Sequence, residues 1–127
     1  MIYVDTSAAA KLLREEAESR QVRGLFEAGS DLVSSRLLAI ELHALAARYR
    51  IDPDGVEQVL SRVHQVAMDE EVVTAAIAAR GELRSLDAIH LGTMMVLGSI
   101  LTGVVAYDRR LRNAAAQRSF ALVDPAG

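Results

Sequence analysis

The sequence predicts an α/β fold of three layers, α/β/α, in which helices cover both faces of a mostly parallel sheet of four to five strands. Short apolar runs alternate along the chain with segments of helical periodicity, an order typical of parallel sheets. The run Ile100–Ala106 is uncharged and mostly apolar, as expected of a strand that is buried on both faces. With 127 residues and 51% hydrophobic content, the chain is expected to form one domain spanning residues 1–127.

The first half of the chain contains two predicted strands and four predicted helices, recognised by apolar spacing and by end signals. Thr6 or Ser7 caps the first helix, directly after an apolar run that ends at Asp5. Gly29 ends the second helix, and Pro53 suits the first position of the fourth. The predicted elements are strand Ile2–Val4, helix Ser7–Glu16, a helix around Val22–Phe26, strand Asp31–Ser35, helix Leu38–Tyr49 and a helix from Pro53 to about Val63.

The second half contains the most apolar helix, which Ser85 can cap and which Gly98 ends. A helix that is apolar nearly all round belongs in the middle of a domain. The predicted elements are a weak strand Gln65–Met68, helix Glu70–Arg80, helix Leu86–Leu97, strand Ile100–Ala106, helix Asp108–Ala116 and strand Phe120–Val123.

The composition excludes several classes of function. Because there is no cysteine, disulfides, thiolate metal sites and cysteine nucleophiles are excluded. The uncharged stretch Leu91–Tyr107 contains three glycines and several hydroxyl residues, and a buried helix followed by a strand explains it better than a bilayer span. No secretory leader is visible, so we expect a cytoplasmic protein without a membrane partner. The net charge of −3 gives no global basic field, although a local patch can differ in sign.

Four acidic residues occupy positions that packing alone does not explain. Asp5 and Asp108 end strands, Asp87 lies at the start of the apolar helix, and Glu41 lies on the apolar face of its own helix. Ligands of open α/β sheets bind outside the carboxyl ends of the strands, where these acids are expected to meet. The structural alternatives are helix caps for the three aspartates and a buried ion pair with Arg36 or Arg48 for Glu41.

Four converging carboxylates require a cation. Two like charges about 5 Å apart repel by roughly 3 kcal/mol at an effective dielectric constant near 20. A ligand set made only of oxygen favours Mg²⁺ or Mn²⁺, and such ions bind phosphate oxygens and activate water. The sequence has neither a P-loop nor a glycine-rich dinucleotide motif. The pattern therefore favours metal-assisted phosphodiester hydrolysis over nucleotide binding.

The stretches around these acids resemble the motifs of PIN-domain ribonucleases, in the same order and over essentially the whole chain. The closest likeness is to the VapC-type toxins of bacterial toxin–antitoxin pairs. The matching stretches are Val4–Ala8, Ser34–Glu41, Leu86–Leu91 and Tyr107–Leu111.

This resemblance implies an endoribonuclease toxin that depends on Mg²⁺ (or Mn²⁺), cleaves RNA, is inhibited by a cognate antitoxin and is commonly a homodimer. An apolar groove formed by the first helices and Leu37–Tyr49 is the expected antitoxin dock. The implied catalytic metal ligands are Asp5, Glu41, Asp87 and Asp108, with support from Thr6, Ser7 and Arg109.

Two other functions are open from the sequence alone. The family usually has Thr or Ser where this chain has Ala106, and the missing hydroxyl favours a non-catalytic interaction module that keeps the fold. Thr6, Ser7 or Thr102 are the hydroxyl residues that would replace it. A receiver-like phosphoacceptor domain also places an Asp at a strand end, but it needs a lysine near the last strands, and the single lysine here is Lys11.

Other polar residues near the acids have more ordinary interpretations. His90 lies one turn after Asp87, and we expect it to pack in the core with a bond to the backbone, because imidazole is a softer ligand than this site favours. Arg109, Arg110 and Arg112 follow the fourth acid and either contact RNA phosphates or form a solvated helix face.

Overall fold

A four-stranded parallel sheet forms the centre of the protein in a computed structural model that describes residues 1–125. The strands pair in the order β3-β2-β1-β4, with every pairing parallel. The first strand of the chain therefore lies in the interior of the sheet. The strand bounds are β1 (Ile2–Val4), β2 (Leu32–Ser35), β3 (His64–Val66) and β4 (Gly103–Val105).

Helices make up most of the connections between these strands, and short 3₁₀ turns extend the first and the sixth of them. No helix within residues 1–125 combines the length and the apolar character needed to cross a bilayer. The helix bounds are α1 (Thr6–Ala9), α2 (Ser19–Glu27), α3 (Leu37–Tyr49), α4 (Pro53–Leu60), α5 (Glu70–Ala79), α6 (Ser85–Leu97) and α7 (Arg109–Gln117).

The alternation of side chains along the strands builds the two outer layers. Successive residues of a strand point to opposite faces of the sheet. Val4 and Val105 face an apolar cluster that they share with α1, α2, α3 and α4. Tyr3 and Val104 face a second cluster, shared with α5, α6 and α7. The predicted three-layer α/β/α architecture is confirmed.

Helix α6 is held in a fixed position by close contact with α5. A β-carbon at Gly92 would lie 2.7 Å from the backbone nitrogen of Ala76, closer than real β-carbons come to such atoms. Gly92 is buried, as are Leu91 and Met94 beside it. The absence of a side chain at this position therefore lets the two helix backbones touch, and this fixes the position of the acid at the start of α6.

The predicted first helix, Ser7–Glu16, is wrong in length. The α-helical turn ends at Ala9 and continues only as a 3₁₀ turn over Ala10–Leu12. A longer helix would place Glu15 and Glu16 in its last turn, where the helix dipole disfavours negative charge.

The predicted strand Ile100–Ala106 is also too long. Strand β4 begins at Gly103, because β1 offers only three residues for pairing, from Ile2 opposite Gly103 to Val4 opposite Val105. The residues before it form the 3₁₀ turn Gly98–Ile100, which starts at a glycine with φ 55°.

The predicted last strand, Phe120–Val123, is reduced to an isolated parallel bridge between Leu122 and Val104. Val104 is the β4 residue that exchanges hydrogen bonds with this segment. The segment follows α7 after a turn at Ser119, whose φ of 67° is left-handed. The sheet of four to five strands is nevertheless confirmed, and the other predicted elements differ from the observed ones by no more than three residues at either end.

Candidate active site

The four predicted acids come from four different segments and lie around the carboxyl ends of the strands. Asp5 directly follows β1, and Asp108 follows the neighbouring strand β4 and precedes α7. Glu41 lies in α3, the helix that follows β2, and Asp87 lies in the first turn of α6. The charge of Asp108 acts on both Asp5 and Asp87, and the charge of Glu41 acts on Asp87. Two of the four carboxylates thus act on the ionisation of Asp87 or Asp5, across four segments of the chain.

Asp5 is the most deeply buried of these acids, with 3% of its surface exposed. Its Oδ1 accepts a hydrogen bond of 2.9 Å from the backbone N–H of Ala8, so Asp5 itself caps α1 and the predicted cap at Thr6 or Ser7 is wrong. Burial raises the pKa of Asp5 to about 6, although His90, Ser7 and the Ala8 N–H act to lower it. A carboxylate that ionises only near neutral pH carries a charge that its surroundings do not fully compensate.

Ser7 connects Asp5 to the segment that carries Asp108. Its hydroxyl lies 2.7 and 2.8 Å from the two carboxylate oxygens of Asp5, to which it donates. The same oxygen accepts from the backbone N–H groups of Tyr107, at 2.8 Å, and Asp108, at 3.3 Å. A hydroxyl is thus present at this edge although position 106 is Ala, whereas Thr102 bonds to the carbonyl of Met1.

Glu41 is held by side chains of two other elements. Thr6 Oγ1 donates to its Oε1 at 2.5 Å, and His90 Nε2 lies 2.9 Å from the same oxygen. The predicted alternative partners do not contact it, since Arg36 donates to Gln65 and the Arg48 guanidinium lies beside an exposed tyrosine ring. Burial acts to raise the pKa of Glu41, but the hydrogen bonds from His90 and Thr6 outweigh it and hold the pKa below its usual value.

His90 belongs to a buried chain of side-chain hydrogen bonds, so the predicted bond to the backbone is wrong. Its Nδ1 lies 2.7 Å from the hydroxyl of Tyr3, and both residues are fully or almost fully buried. The ring of His90 therefore bridges Tyr3, on its Nδ1 side, and Glu41, on its Nε2 side. Burial raises the pKa of Tyr3, so its hydroxyl remains a donor.

Sequence reasoning missed the role of Tyr3, although a signal was present. A tyrosine in a strand predicted to be fully buried must find a hydrogen-bond partner for its hydroxyl. The partner lies 87 positions away in the chain, on α6. The composition of the strand could therefore indicate a buried polar contact, but it could not indicate which residue makes it.

Asp87 and Asp108 differ in how their carboxylates are used. Asp108 caps α7, where its Oδ2 accepts from the Leu111 N–H at 3.0 Å. Asp87 is not a cap, since the N-cap position of α6 is Arg84 and no side chain caps it, which also makes the predicted Ser85 cap wrong. Burial, together with the charge of Asp108, raises the pKa of Asp87. Asp87 therefore caps no helix, and its surroundings disfavour its ionised form.

The chemistry of this donor set fits a hard divalent cation. Within residues 1–125, no three acidic or histidine side chains already form a group close enough to hold a metal ion. The facing groups are nevertheless carboxylates, and burial raises the pKa of both Asp5 and Asp87 although His90 acts to lower it. An ion such as Mg²⁺ prefers oxygen ligands and tolerates a partial set, because it retains several waters.

The arginines that follow Asp108 do not act alike. Arg112 donates to the carbonyl of Ala106 and pairs with Asp124, so it ties the end of the chain to β4 instead of facing a substrate. Arg109 is exposed and forms no ion pair with any residue of 1–125. The predicted phosphate contacts therefore concern Arg109 and Arg110 rather than Arg112.

Comparison with known proteins gives a consistent result. The chain matches the family model of the PIN domain over residues 2–117. It is 40% identical over 134 residues to Ribonuclease VapC35 of Mycobacterium tuberculosis, covering 98% of this chain and 97% of that protein. It is 35% identical over 133 residues to Ribonuclease VapC47 of the same organism, again covering 98% and 97%.

Two solved structures share the fold. One is Mycobacterium tuberculosis VapC20, described as a sarcin-ricin loop cleaving toxin, with a TM-score of 0.75 at 18% identity over 98% of this chain and 100% of that one. The other is a toxin–antitoxin complex from Klebsiella pneumoniae, with a TM-score of 0.64 at 19% identity over 84% of this chain and 85% of that one. At these identities the likeness concerns the arrangement of helices and strands.

Proposed function

This chain belongs to the PIN domain family, among the VapC ribonucleases, and we propose that it is a metal-dependent endoribonuclease acting as the toxin of a toxin–antitoxin pair. The observation that carries the proposal is the position of four acids from distant parts of the chain around the carboxyl ends of the strands. The relatives named ribonucleases match nearly the whole chain, which supports the same activity here.

In this proposal Asp5, Glu41, Asp87 and Asp108 hold Mg²⁺ or Mn²⁺. When bound, the ion supplies Lewis-acid stabilisation of the charge that develops on the phosphodiester, together with an activated water. The carboxylates of Asp5 and Asp87 must be ionised to bind it, and the raised pKa values of both predict that binding strengthens as the pH rises toward neutrality and above.

The neighbouring side chains act as positioning residues. Ser7 fixes the carboxylate of Asp5 and the backbone at Asp108 with one hydroxyl. Thr6 and His90 hold one oxygen of Glu41, which leaves the other oxygen free to bind a cation. The acids are thus directed by contacts that the apolar layers keep in place.

The proposed partners are a cognate antitoxin, RNA and a second copy of this chain, in the cytoplasm. The Klebsiella pneumoniae structure is a toxin–antitoxin complex with the same fold, which supports the first of these. A cleft of about 410 Å³ lies beside the first helices and is lined in part by Leu12, Leu13, Phe26 and Val59, but no residue of Leu37–Tyr49 lines it. The antitoxin dock over the first helices and Leu37–Tyr49 therefore stays a prediction. Light scattering of the purified chain tests the dimer, and co-purification with the product of a neighbouring small gene tests the antitoxin.

The decisive experiment is RNA cleavage by Asp5→Asn in the presence of Mg²⁺ or Mn²⁺. The variant should lose cleavage while retaining the fold, because Asn keeps the cap to Ala8 but loses the charge. Asp69→Asn is the matched control, since Asp69 caps α5 in the same way, through the N–H of Val72, and is exposed. Full cleavage by Asp5→Asn, or loss of cleavage in both variants, would contradict the assignment.

Calorimetric titration with Mn²⁺ tests the alternative of a non-catalytic module. That alternative depended on the missing hydroxyl at Ala106, and the contacts of Ser7 at the same edge weaken it. A catalytic site should bind the ion and lose it in Asp5→Asn. A chain that binds no Mn²⁺ and cleaves no RNA would instead favour the interaction module.

A further inference from the structure

A second cleft lies between the α5–α6 connection and α7. It has a volume of about 600 Å³, and Arg80, Arg110 and Arg118 line it together with one acid, Glu82. Three positive charges thus face one negative charge, in a chain whose net charge is −3. The cleft is therefore positively charged although the chain as a whole is negatively charged.

The arginines of this cleft are not engaged in holding the fold together. All three are exposed, and none forms an ion pair or a side-chain hydrogen bond with another residue of 1–125. Arg112, one turn away on α7, shows the contrast, because it bonds to Ala106 and Asp124. Guanidinium groups that line one cleft and form no ion pair favour an anionic ligand.

The wall of the cleft includes residues of α6 and α7, the two helices at whose N-terminal ends Asp87 and Asp108 lie. Leu91 in its wall lies one helical turn after Asp87, and Arg110 follows Asp108 by two positions. Along α7 the lining residues Arg110, Asn113 and Gln117 have the spacing of one helix face, which extends about 10 Å away from the acids. A polymer that places one phosphodiester at the acids and follows α7 would therefore reach this cleft.

We propose that this cleft binds the RNA strand adjacent to the cleaved phosphodiester, an inference that rests on the proposed ribonuclease function. The arginines bind phosphates, and Asn113 and Gln117 hydrogen-bond to base edges. Side-chain amides carry a donor and an acceptor together, which matches the edges of unpaired bases. An acidic polypeptide would satisfy the arginines alone and would not account for the amides or for the helices that the cleft shares with the acids.

The test is the affinity for a fluorescein-labelled single-stranded RNA, measured by anisotropy in EDTA so that binding is separated from cleavage. Arg110→Gln/Arg118→Gln should weaken binding about tenfold at about 0.1 M salt. The slope of the logarithm of the binding constant against the logarithm of the salt concentration should become shallower by about 0.7 for each lost phosphate contact. Arg20→Gln/Arg48→Gln changes the net charge equally at exposed arginines of α2 and α3 and should leave the affinity unchanged.

The outcomes separate this inference from the proposed function. Equal affinity of the wild type and the Arg110/Arg118 variant would overturn the RNA cleft even if the wild type cleaves RNA. A loss of affinity for poly-glutamate but not for RNA would assign the cleft to an acidic protein and would also overturn it. Arginine-dependent RNA binding by a chain that cleaves nothing with Mg²⁺ or Mn²⁺ would support the cleft and refute the nuclease.

The two amides provide a separate readout of base recognition. Asn113→Ala/Gln117→Ala should change the ratio of affinities for oligo(A) and oligo(U) by several-fold, about the effect of losing one base-edge contact. An equal loss for both homopolymers, or none, would overturn the base-reading role. Circular dichroism before each titration checks that the variants keep the fold.

Discussion

Replacement of Asp5 by Asn should stabilise the metal-free protein at and above neutral pH. Asp5 is almost fully buried, and burial raises its pKa from 3.8 to about 6. The ionised form therefore opposes folding when no cation is bound. Asn has nearly the same shape, can keep the helix cap to Ala8 and can accept from Ser7, but it carries no charge.

The magnitude follows from the displacement of this pKa. One pKa unit corresponds to about 1.4 kcal/mol, so a shift from 3.8 to about 6 costs up to about 3 kcal/mol. Because the folded-state pKa is raised, the unfolded chain releases the proton first. The penalty is therefore absent below the unfolded value, grows between the two values, and is complete above about 6.

The assay is urea unfolding in EDTA at several pH values, for the wild type, Asp5→Asn and Asp69→Asn. The gain in the free energy of unfolding of Asp5→Asn over the wild type should be small near about pH 4 and should rise to about 3 kcal/mol near about pH 7.5. Asp69→Asn makes the same chemical change at an exposed cap, so it measures how far the exchange of Asp for Asn changes the free energy of unfolding without burial.

A gain that is independent of pH, or a loss at every pH, would refute the electrostatic reasoning. Addition of Mn²⁺ at neutral pH should make the wild type more stable than Asp5→Asn, because the ion binds the ionised wild type and stabilises it by mass action. The same carboxylate should thus destabilise the empty protein and stabilise the loaded one.

Three further substitutions test the supports of the site. Gly92→Ala should lower the free energy of unfolding by about 1–3 kcal/mol, because its methyl group would collide with the backbone of Ala76. In the control Gly55→Ala, the methyl group meets only a side-chain atom at 3.8 Å. Thermal unfolding compares the two variants. Tyr3→Phe should cost about 1–3 kcal/mol of stability by leaving the buried Nδ1 of His90 without its hydrogen-bond partner, and it should weaken Mn²⁺ binding in calorimetry through Glu41. Ser7→Ala should raise the pKa of the Asp5 carboxyl further, and the pH dependence of Mn²⁺ binding should move upward with it.

The sequence predicted the layers and the four acids because both depend on local signals. Apolar runs, glycine stops and a carboxylate at a strand end can each be recognised within about ten residues. In a parallel sheet the carboxyl ends of β1 and β4 lie at the same edge, so the sequence alone predicts that Asp5 and Asp108 lie at that edge.

Strand length and hydrogen-bond partners could not be predicted in the same way. The apolar run Ile100–Ala106 is longer than β4 because the three residues of β1 limit the pairing. His90 bonds to Tyr3 and Glu41, which are 87 and 49 positions away in the chain, and no local pattern encodes such pairs. The helix cap at Asp5 was misplaced because Asp, Thr and Ser are adjacent and all favour that position.

The first strand explains why the site depends on both helical layers. Tyr3 points into the layer of α5, α6 and α7, where it reaches His90, while Val4 packs in the layer of α1 to α4. His90 then contacts Glu41, which α3 presents from the opposite layer. The contact between α3 and α6 near the sheet edge is therefore polar and passes through the site itself. A change that moves α6, such as a side chain at Gly92, should thus alter metal binding as well as stability, and calorimetry with Mn²⁺ on Gly92→Ala tests this coupling.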